Sequence, residues 1–331
     1  MKSNTQLIGL LAVSSLKGIG PAFINKYINT SHFASDNLLD EIENILTVGK
    51  KTFDADEVNF QIDNAYKIYS ETAENNIQAV SIFSDEYPLQ LKALKDAPPV
   101  IFLKGNLKNL QSNTVCIIGT RGPNEIGKEI SKRVGRYFSE NKWSICNGLA
   151  EGIDTFSIKD GTKYYENVIG VLAGGLNYNS SKTLLKSTVA NAEKILENSG
   201  LLISEMPINK KEDTFSVVKS CRIQAGMSHG LLLVQSSLTG GSKYTVKAFA
   251  EHYRPLAVIN PIGDADALQF YEANIEIIHN SRKGITEMTE LKSEKIAISS
   301  FHTIKSKDDY VSFEKSMLEA KKSAEGNNTL F

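Results

Sequence analysis

The sequence predicts an α/β protein with a doubly wound, mostly parallel sheet and a small helical domain ahead of it. Three observations carry this. From Thr114 onward, short apolar runs alternate with longer amphipathic ones. Most of those apolar runs end in glycine-rich turns. Before Ala97-Pro98-Pro99 the apolar residues keep helical spacing instead. Continuous apolar strands separated by helix-length segments mark a sheet covered on both faces.

Residues 1–95 read as helical. Leu7, Ile8, Leu10 and Leu11 precede a break at Gly18-Ile19-Gly20-Pro21, and Phe23, Ile24, Tyr27 and Ile28 follow it. A second amphipathic stretch, Val58 to Tyr69, carries Ile62, Ala65, Tyr66 and Tyr69. Two consecutive prolines cannot continue a helix, so the domain boundary falls near Pro98-Pro99. The second domain spans 96–290. Its strands read as Val115–Ile118, Trp143–Cys146, Val168–Ala173, Leu201–Ser204, Leu231–Val234 and Leu256–Ile259. The intervening helices read as Glu125–Ser139, Ile153–Tyr165, Lys182–Glu197, Val218–Met227 and Ser242–Tyr253. This alternation is the pattern of a Rossmann-like sheet. Residues 291–331 turn polar, with one helix expected over Tyr310–Lys322 and a flexible tail over Ser323–Phe331.

Composition excludes several classes. The 331 residues are 41% hydrophobic and 23% charged, the profile of folded domains and not of a disordered or collagen-like chain. With 37 Lys and Arg against 38 Asp and Glu, a polyanion must be bound through a local patch. Cys116, Cys146 and Cys221 share no metal-ligand spacing, and two of them fall in apolar strand-like runs, which suggests small buried hydrophobes in a reducing compartment. The N-terminus lacks the pattern of a signal peptide, and no long apolar run is present, so the expected location is cytoplasmic.

In an open parallel sheet, ligands bind on the loops leaving the carboxyl ends of the strands. Those loops read Gly119-Thr120-Arg121-Gly122, Asn147-Gly148-Leu149-Ala150-Glu151-Gly152, Ala173-Gly174-Gly175 and Thr239-Gly240-Gly241-Ser242-Lys243. Glycine lets the backbone approach a ligand, and helix starts offer free N–H groups, which together suit phosphate. The dinucleotide pattern G-x-G-x-x-G is missing, with Pro123 in its way, and no Gly-Lys-Ser/Thr phosphate loop occurs. The five histidines do not cluster. Glu151 and Asp154 suit a helix N-terminus structurally, so no catalytic residue, metal ligand or cofactor is assigned.

Taken in order, Gly119-Thr120-Arg121, Asn147 through Asp154, Leu201-Leu202-Ile203-Ser204-Glu205, Arg222 through Ser228 and Gly241-Ser242-Lys243-Tyr244-Thr245 resemble the DprA/Smf DNA-processing family over about residues 80–265. The resemblance implies a non-enzymatic, homodimeric protein without a cofactor. It would bind single-stranded DNA, protect it, and help load a RecA-type recombinase in recombination or natural transformation. It also implies that Arg121 and the Gly148 loop contact DNA phosphates, that Gly241 and Ser242 line the same pocket near Thr245, and that Arg222 matches the second arginine of an Arg-Asn-Arg segment. The candidate DNA- or phosphate-binding residues are thus Gly119, Thr120, Arg121, Asn147, Gly148, Gly174, Lys219, Arg222, Gly240, Gly241, Ser242, Lys243 and Thr245.

The chain departs from the family pattern in places. Ser220-Cys221-Arg222 lacks one of the expected cations, Asn147 replaces a serine, and Ile259-Asn260-Pro261-Ile262-Gly263 loosens a Val-Pro-Gly. A histidine common after Gly-Ile-Asp gives way to the Thr155-Phe156-Ser157 region. Among further cations, Lys247 and Arg254 are candidates for the strand, while Lys210 and Lys211 read as solvated. Phe215 and Tyr244 are candidates for base stacking or for the core. Leu16-Lys17-Gly18-Ile19-Gly20-Pro21 resembles a helix-hairpin-helix element and is equally readable as a tight turn. Asn327 to Phe331 resembles a sliding-clamp peptide, but an ordinary terminus explains it as well. A second reading, a nucleotide-binding or nucleotide-hydrolysing (phosphoribohydrolase-like) protein with phage defence as its setting, rests on Gly240-Gly241 and Glu251.

Overall fold

The computed structural model describes residues 2–34 and 37–328. The chain divides into two units. One comprises Met1–Lys104, Ala173–Leu184 and Ile203–Asp213, the other Gly105–Leu172, Leu185–Leu202 and Thr214–Phe331.

The first unit begins with helices α1 (Lys2–Ser15), α2 (Pro21–Tyr27), α3 (Leu38–Val48) and α4 (Ala55–Glu74). Asn37 and Asp54 cap α3 and α4 by accepting hydrogen bonds from Asp40 and Asp56 N–H. Leu10, Ile24, Phe33 and Ile42 are fully buried there. Strand β1 (Gln78–Ser81), the short helix α5 (Leu89–Lys92) and strand β2 (Val100–Gly105) follow, with β1 and β2 antiparallel and Gln78 opposite Leu103. The helical reading of residues 1–95 misses β1. Its partner lies beyond the two prolines, so the pairing is non-local and leaves no periodic signal in the first domain.

The second unit holds β3 (Thr114–Ile118), α6 (Glu125–Glu140), β4 (Ser144–Asn147), α7 (Ile153–Ser157), β5 (Lys159–Asp160), β6 (Lys163–Tyr164) and β7 (Val168–Val171). After α8 (Tyr178–Ser181), which lies in the first unit, come α9 (Lys186–Glu197) and β8 (Leu201–Ser204), where the chain passes between units. The second unit then continues with α10 (Thr214–Met227), β9 (Gly230–Leu233), α11 (Ser242–Ala250), β10 (Leu256–Ile259), α12 (Ala265–Leu268), α13 (Glu272–Asn280), α14 (Arg282–Thr289), β11 (Phe301–Ile304) and α15 (Asp308–Asn328).

Within this unit β7, β4, β3, β9, β10 and β11 run side by side in that order, all parallel. Cys116 lies opposite Cys146, Ile118 opposite Leu233, and Ile259 opposite Ile304. The chain moves outward from β3 through β4 to β7, then returns to β9 and moves out the other way. The sheet is therefore doubly wound, as its pattern predicts, and its topological switch point lies between β3 and β9. Cys116, Cys146 and Cys221 are free and buried, and desolvation pushes the Cys146 thiol up to about 12.

Two stretches differ from the sequence reading. The helix expected over Ile153–Tyr165 stops at Ser157, and Lys159 then pairs with Tyr164 and Asp160 with Lys163 in a hairpin. Gly161-Thr162, with Gly161 at φ +57°, is the two-residue turn of that hairpin. The region 291–331 is no appendage. β11 extends the parallel sheet, and α15 buries Tyr310, Phe313 and Met317 against the second unit. Glu314 anchors this helix by accepting hydrogen bonds from Trp143 Nε1 and the Tyr137 hydroxyl, each at 2.9 Å. The apolar stripe is narrow, so a polar composition hides it. The helix includes Asn327 and Asn328, whereas the rest of the terminal peptide, Thr329-Leu330-Phe331, lies outside the described residues.

Candidate functional site

Because β3, β4 and β9 are parallel, the turns leaving their carboxyl ends lie along one rim, beside the switch point. The turn after β3 is held against the turn after β9. Thr120 N–H donates to the Gln235 carbonyl at 2.7 Å, and Val234 N–H to that of Ile118 at 3.0 Å. Gly119 makes this approach possible, since a Cβ there would sit 2.6 Å from the Gln235 carbonyl oxygen. Asn124 then starts α6 by accepting from Gly127 N–H at 2.9 Å, and also accepts from Gln235 Nε2 at 2.8 Å.

The turn after β4 is braced from within. Gly148 and Ala150 N–H donate to Asp154 Oδ2 at 3.1 and 3.3 Å, and Leu149 N–H donates to Asn147 Oδ1 at 3.0 Å. Asn147 Nδ2 in turn donates to the Asp154 carbonyl (3.2 Å) and to Ser157 Oγ (3.1 Å), and Asn191 Nδ2 donates to the Leu149 carbonyl at 3.0 Å. Gly152 closes the turn at φ +81°, where a Cβ would lie 2.4 Å from the Thr120 carbonyl oxygen. The β3 and β4 turns are thereby locked together, with Ile153 N–H donating to that same carbonyl at 3.1 Å.

Asp154 is 7% exposed. Desolvation raises its carboxyl to about 7, against the pull of the Ala150 and Gly148 amides and the nearby Arg121 charge. α10 passes alongside, so that a Cβ on Gly148 would come within 3.0 Å of Gln224 Nε2. α10 and α11 pack together, and α11 starts at the end of the Thr239–Gly241 turn. Ser236 and Ser242 share a hydroxyl–hydroxyl hydrogen bond across that turn.

The structure sorts the sequence-predicted residues into three groups. Gly119, Thr120, Arg121, Gly148, Gly240, Gly241, Ser242 and Lys243 come together on the rim. Arg121 is exposed, and its guanidinium makes no hydrogen bond or ion pair among the described residues. Lys243 is half-buried, with Nζ 5.5 Å from the centre of the Tyr244 ring. Lys219 and Arg222 lie on α10. Lys219 Nζ stands 5.3 Å from the Phe215 ring, and an Arg222 terminal nitrogen donates to the Lys219 carbonyl at 3.0 Å. Phe215 is 71% exposed, on the surface and not in the core.

The third group is placed elsewhere or turned inward. Asn147 is fully buried and its side chain bonds to Leu149 N–H, to the Ile117 carbonyl on β3 and to Asp154 and Ser157 on α7, so it shapes the turn from the inside. Thr245 is 3% exposed, on the buried side of α11. Gly174 belongs to the first unit, packed on the Thr183 backbone. Arg254 is a half-buried cap. One of its terminal nitrogens donates to the carbonyls of Ala225, Gly226 and Ser228 at the end of α10, and burial lowers it to about 10. Lys210 pairs with Asp213 at 3.2 Å. Glu251 follows the last turn of α11, at the opposite end from Gly240-Gly241, which separates the two features of the nucleotide reading. Sequence reasoning missed Gln224 and the loop role of Asp154, for which only the Gly-Ile-Asp context gave a signal.

Charge divides with the units. The first carries 12 Lys and Arg against 16 Asp and Glu, a net of −4, and the second 25 against 22, a net of +3. The local patch that a near-neutral total demands therefore has its surplus in the unit bearing the rim. No helix among the described residues is long and apolar enough to cross a membrane.

The sheet is that of a doubly wound α/β protein, with glycine turns and the cations Arg121 and Lys243 at the rim beside its switch point. The family model of DNA recombination-mediator protein A matches residues 78–293, and the chain belongs to that family. Its relatives include the DNA processing protein DprA of Bacillus subtilis (strain 168), 30% identical over 187 residues, 56% of this chain and 61% of that one. Protein Smf of Escherichia coli (strain K12) is 32% identical over 55% of this chain and 48% of its own length. The chain thus spans roughly half to three fifths of those two relatives. The X-ray structure of DNA processing protein A from Streptococcus pneumoniae shares the fold with a TM-score of 0.69 at 22% identity, covering 94% of this chain and 98% of that one. The Helicobacter pylori DNA processing protein A, described for its single-stranded DNA binding mode, gives a TM-score of 0.54 at 20% identity, covering 61% of this chain and 87% of that one.

Proposed function

We propose that this chain binds single-stranded DNA along the rim formed by the β3, β4 and β9 turns, as a cytoplasmic recombination mediator without catalytic activity of its own. The observation that carries this reading is the pair of cations Arg121 and Lys243, which form no ion pair among the described residues, at two glycine turns flanking the switch point of a family member. An exposed arginine in a glycine turn has few structural duties, and phosphate gives it one. Phe215 beside Lys219, and Tyr244 beside Lys243, add ring faces on which bases stack without regard to sequence. A homodimer and the loading of a RecA-type recombinase complete the proposal, on the strength of family membership.

The test is an anisotropy titration with an oligonucleotide at two salt concentrations. Arg121→Ala is expected to weaken binding about tenfold for every sequence and to reduce the salt slope by about one. An unchanged affinity and slope would remove Arg121 from the interface.

A further inference from the structure

Three consecutive N–H groups, those of Gly148, Leu149 and Ala150, point to side-chain oxygens of their own loop. Such a run of amides is the backbone device that ordinarily cradles a phosphate. Here two of the three converge on one oxygen of Asp154, so the cradle already holds an anion. That anion belongs to the protein.

We propose that Asp154 is the internal counter-anion of the rim, occupying the amide cradle of the Gly148 loop and opposing a ligand phosphate at Arg121, so that strand binding is coupled to proton uptake at its carboxyl. This rests on the reading that the rim binds single-stranded DNA. The coupling follows from geometry. Asp154 is buried directly beneath the glycine turn, close enough to the guanidinium for Arg121 to favour its ionised form. A phosphate drawn to Arg121 brings a second negative charge toward the buried carboxylate, and like charges repel most where one of them is poorly hydrated. Protonating the carboxyl removes that repulsion.

Among the described residues, no other group facing Asp154 performs this role. From β3 and β4 it is met by the thiols of Cys116 and Cys146, and from α10 by Cys221, all raised by burial and so protonated near neutral pH. Arg121, on the turn after β3, keeps its charge throughout. Asp154 is thus a positioning residue whose charge state changes in the working range, because burial brings its carboxyl to about 7.

The test compares full-length wild type with Asp154→Asn, which preserves shape and an acceptor oxygen. Affinity for an oligothymidylate is measured at pH 6 and pH 8 at one ionic strength. Wild type is expected to bind up to about tenfold more tightly at pH 6, the limit set by one proton with its midpoint near neutrality. The asparagine variant is expected to bind at pH 8 as wild type does at pH 6, with little pH dependence. Thermal melting gives a second readout. The folded-state value lies above the ordinary Asp value, so the protonated form stabilises the fold at low pH, and that stabilisation is lost as pH rises from about 4 to about 7. The variant is expected to lack this loss. Equal pH dependence in both proteins, or equal wild-type binding at both pH values, overturns the inference and leaves the strand reading standing. Wild type that binds the strand at neither pH overturns both.

Discussion

The turns after β3 and β4 lie side by side on one rim and use glycine for opposite ends. Gly119 lets the β3 turn press against the Gln235 backbone, and the turn then projects Arg121 into solvent with no hydrogen-bond or ion-pair partner among the described residues. The β4 turn encloses its own polar groups. Asn147, Asp154 and Asn191 bind its amides and the Leu149 carbonyl, and Gly152 seals it against the Thr120 carbonyl. One turn offers a charge outward while the other supplies the rigidity that aims it. Glycine content alone is therefore a poor guide to which loop touches a ligand.

Substitutions at the two turns should separate rigidity from affinity. The largest effect belongs to Gly152→Ala, where positive φ and a backbone clash coincide. A loss of about 4 kcal/mol or more is expected in denaturant unfolding. A well-folded variant would mean that the two turns are not locked together. Next comes Asn147→Ala, which leaves the Leu149 N–H without its acceptor and should cost about 2 kcal/mol. The salt slope of DNA binding should stay the same, because Asn147 faces no ligand. If that slope instead dropped as it does for Arg121→Ala, the division between the turns would collapse. The smallest effect is expected from Lys243→Ala, a half-buried cation on the β9 turn. About a threefold loss of affinity with unchanged melting would place it at the edge of the strand path.

Much of the candidate rim was legible because its signals are local. The order of glycine turns and the lone arginine in one of them are visible in the sequence, and the parallel sheet follows from apolar run lengths. Other assignments failed for want of a partner. Arg254 looked like one more cation, yet the end of α10 takes it as a half-buried cap. Asn147 occupies a position where a ligand contact was expected, and the carbonyl of Asp154, seven residues on, claims its side chain. Gly174 sits in a turn of the right composition that belongs to the other unit.

The sequence by itself determined the alternation of buried strands and amphipathic helices, and with it the doubly wound class, because hydrophobic periodicity and turn chemistry act over a few residues. Tertiary structure alone decided which amides and charges remain open to a ligand. A hydrogen-bond donor is free or engaged according to what packs against it, and those neighbours come from strands and helices far along the chain.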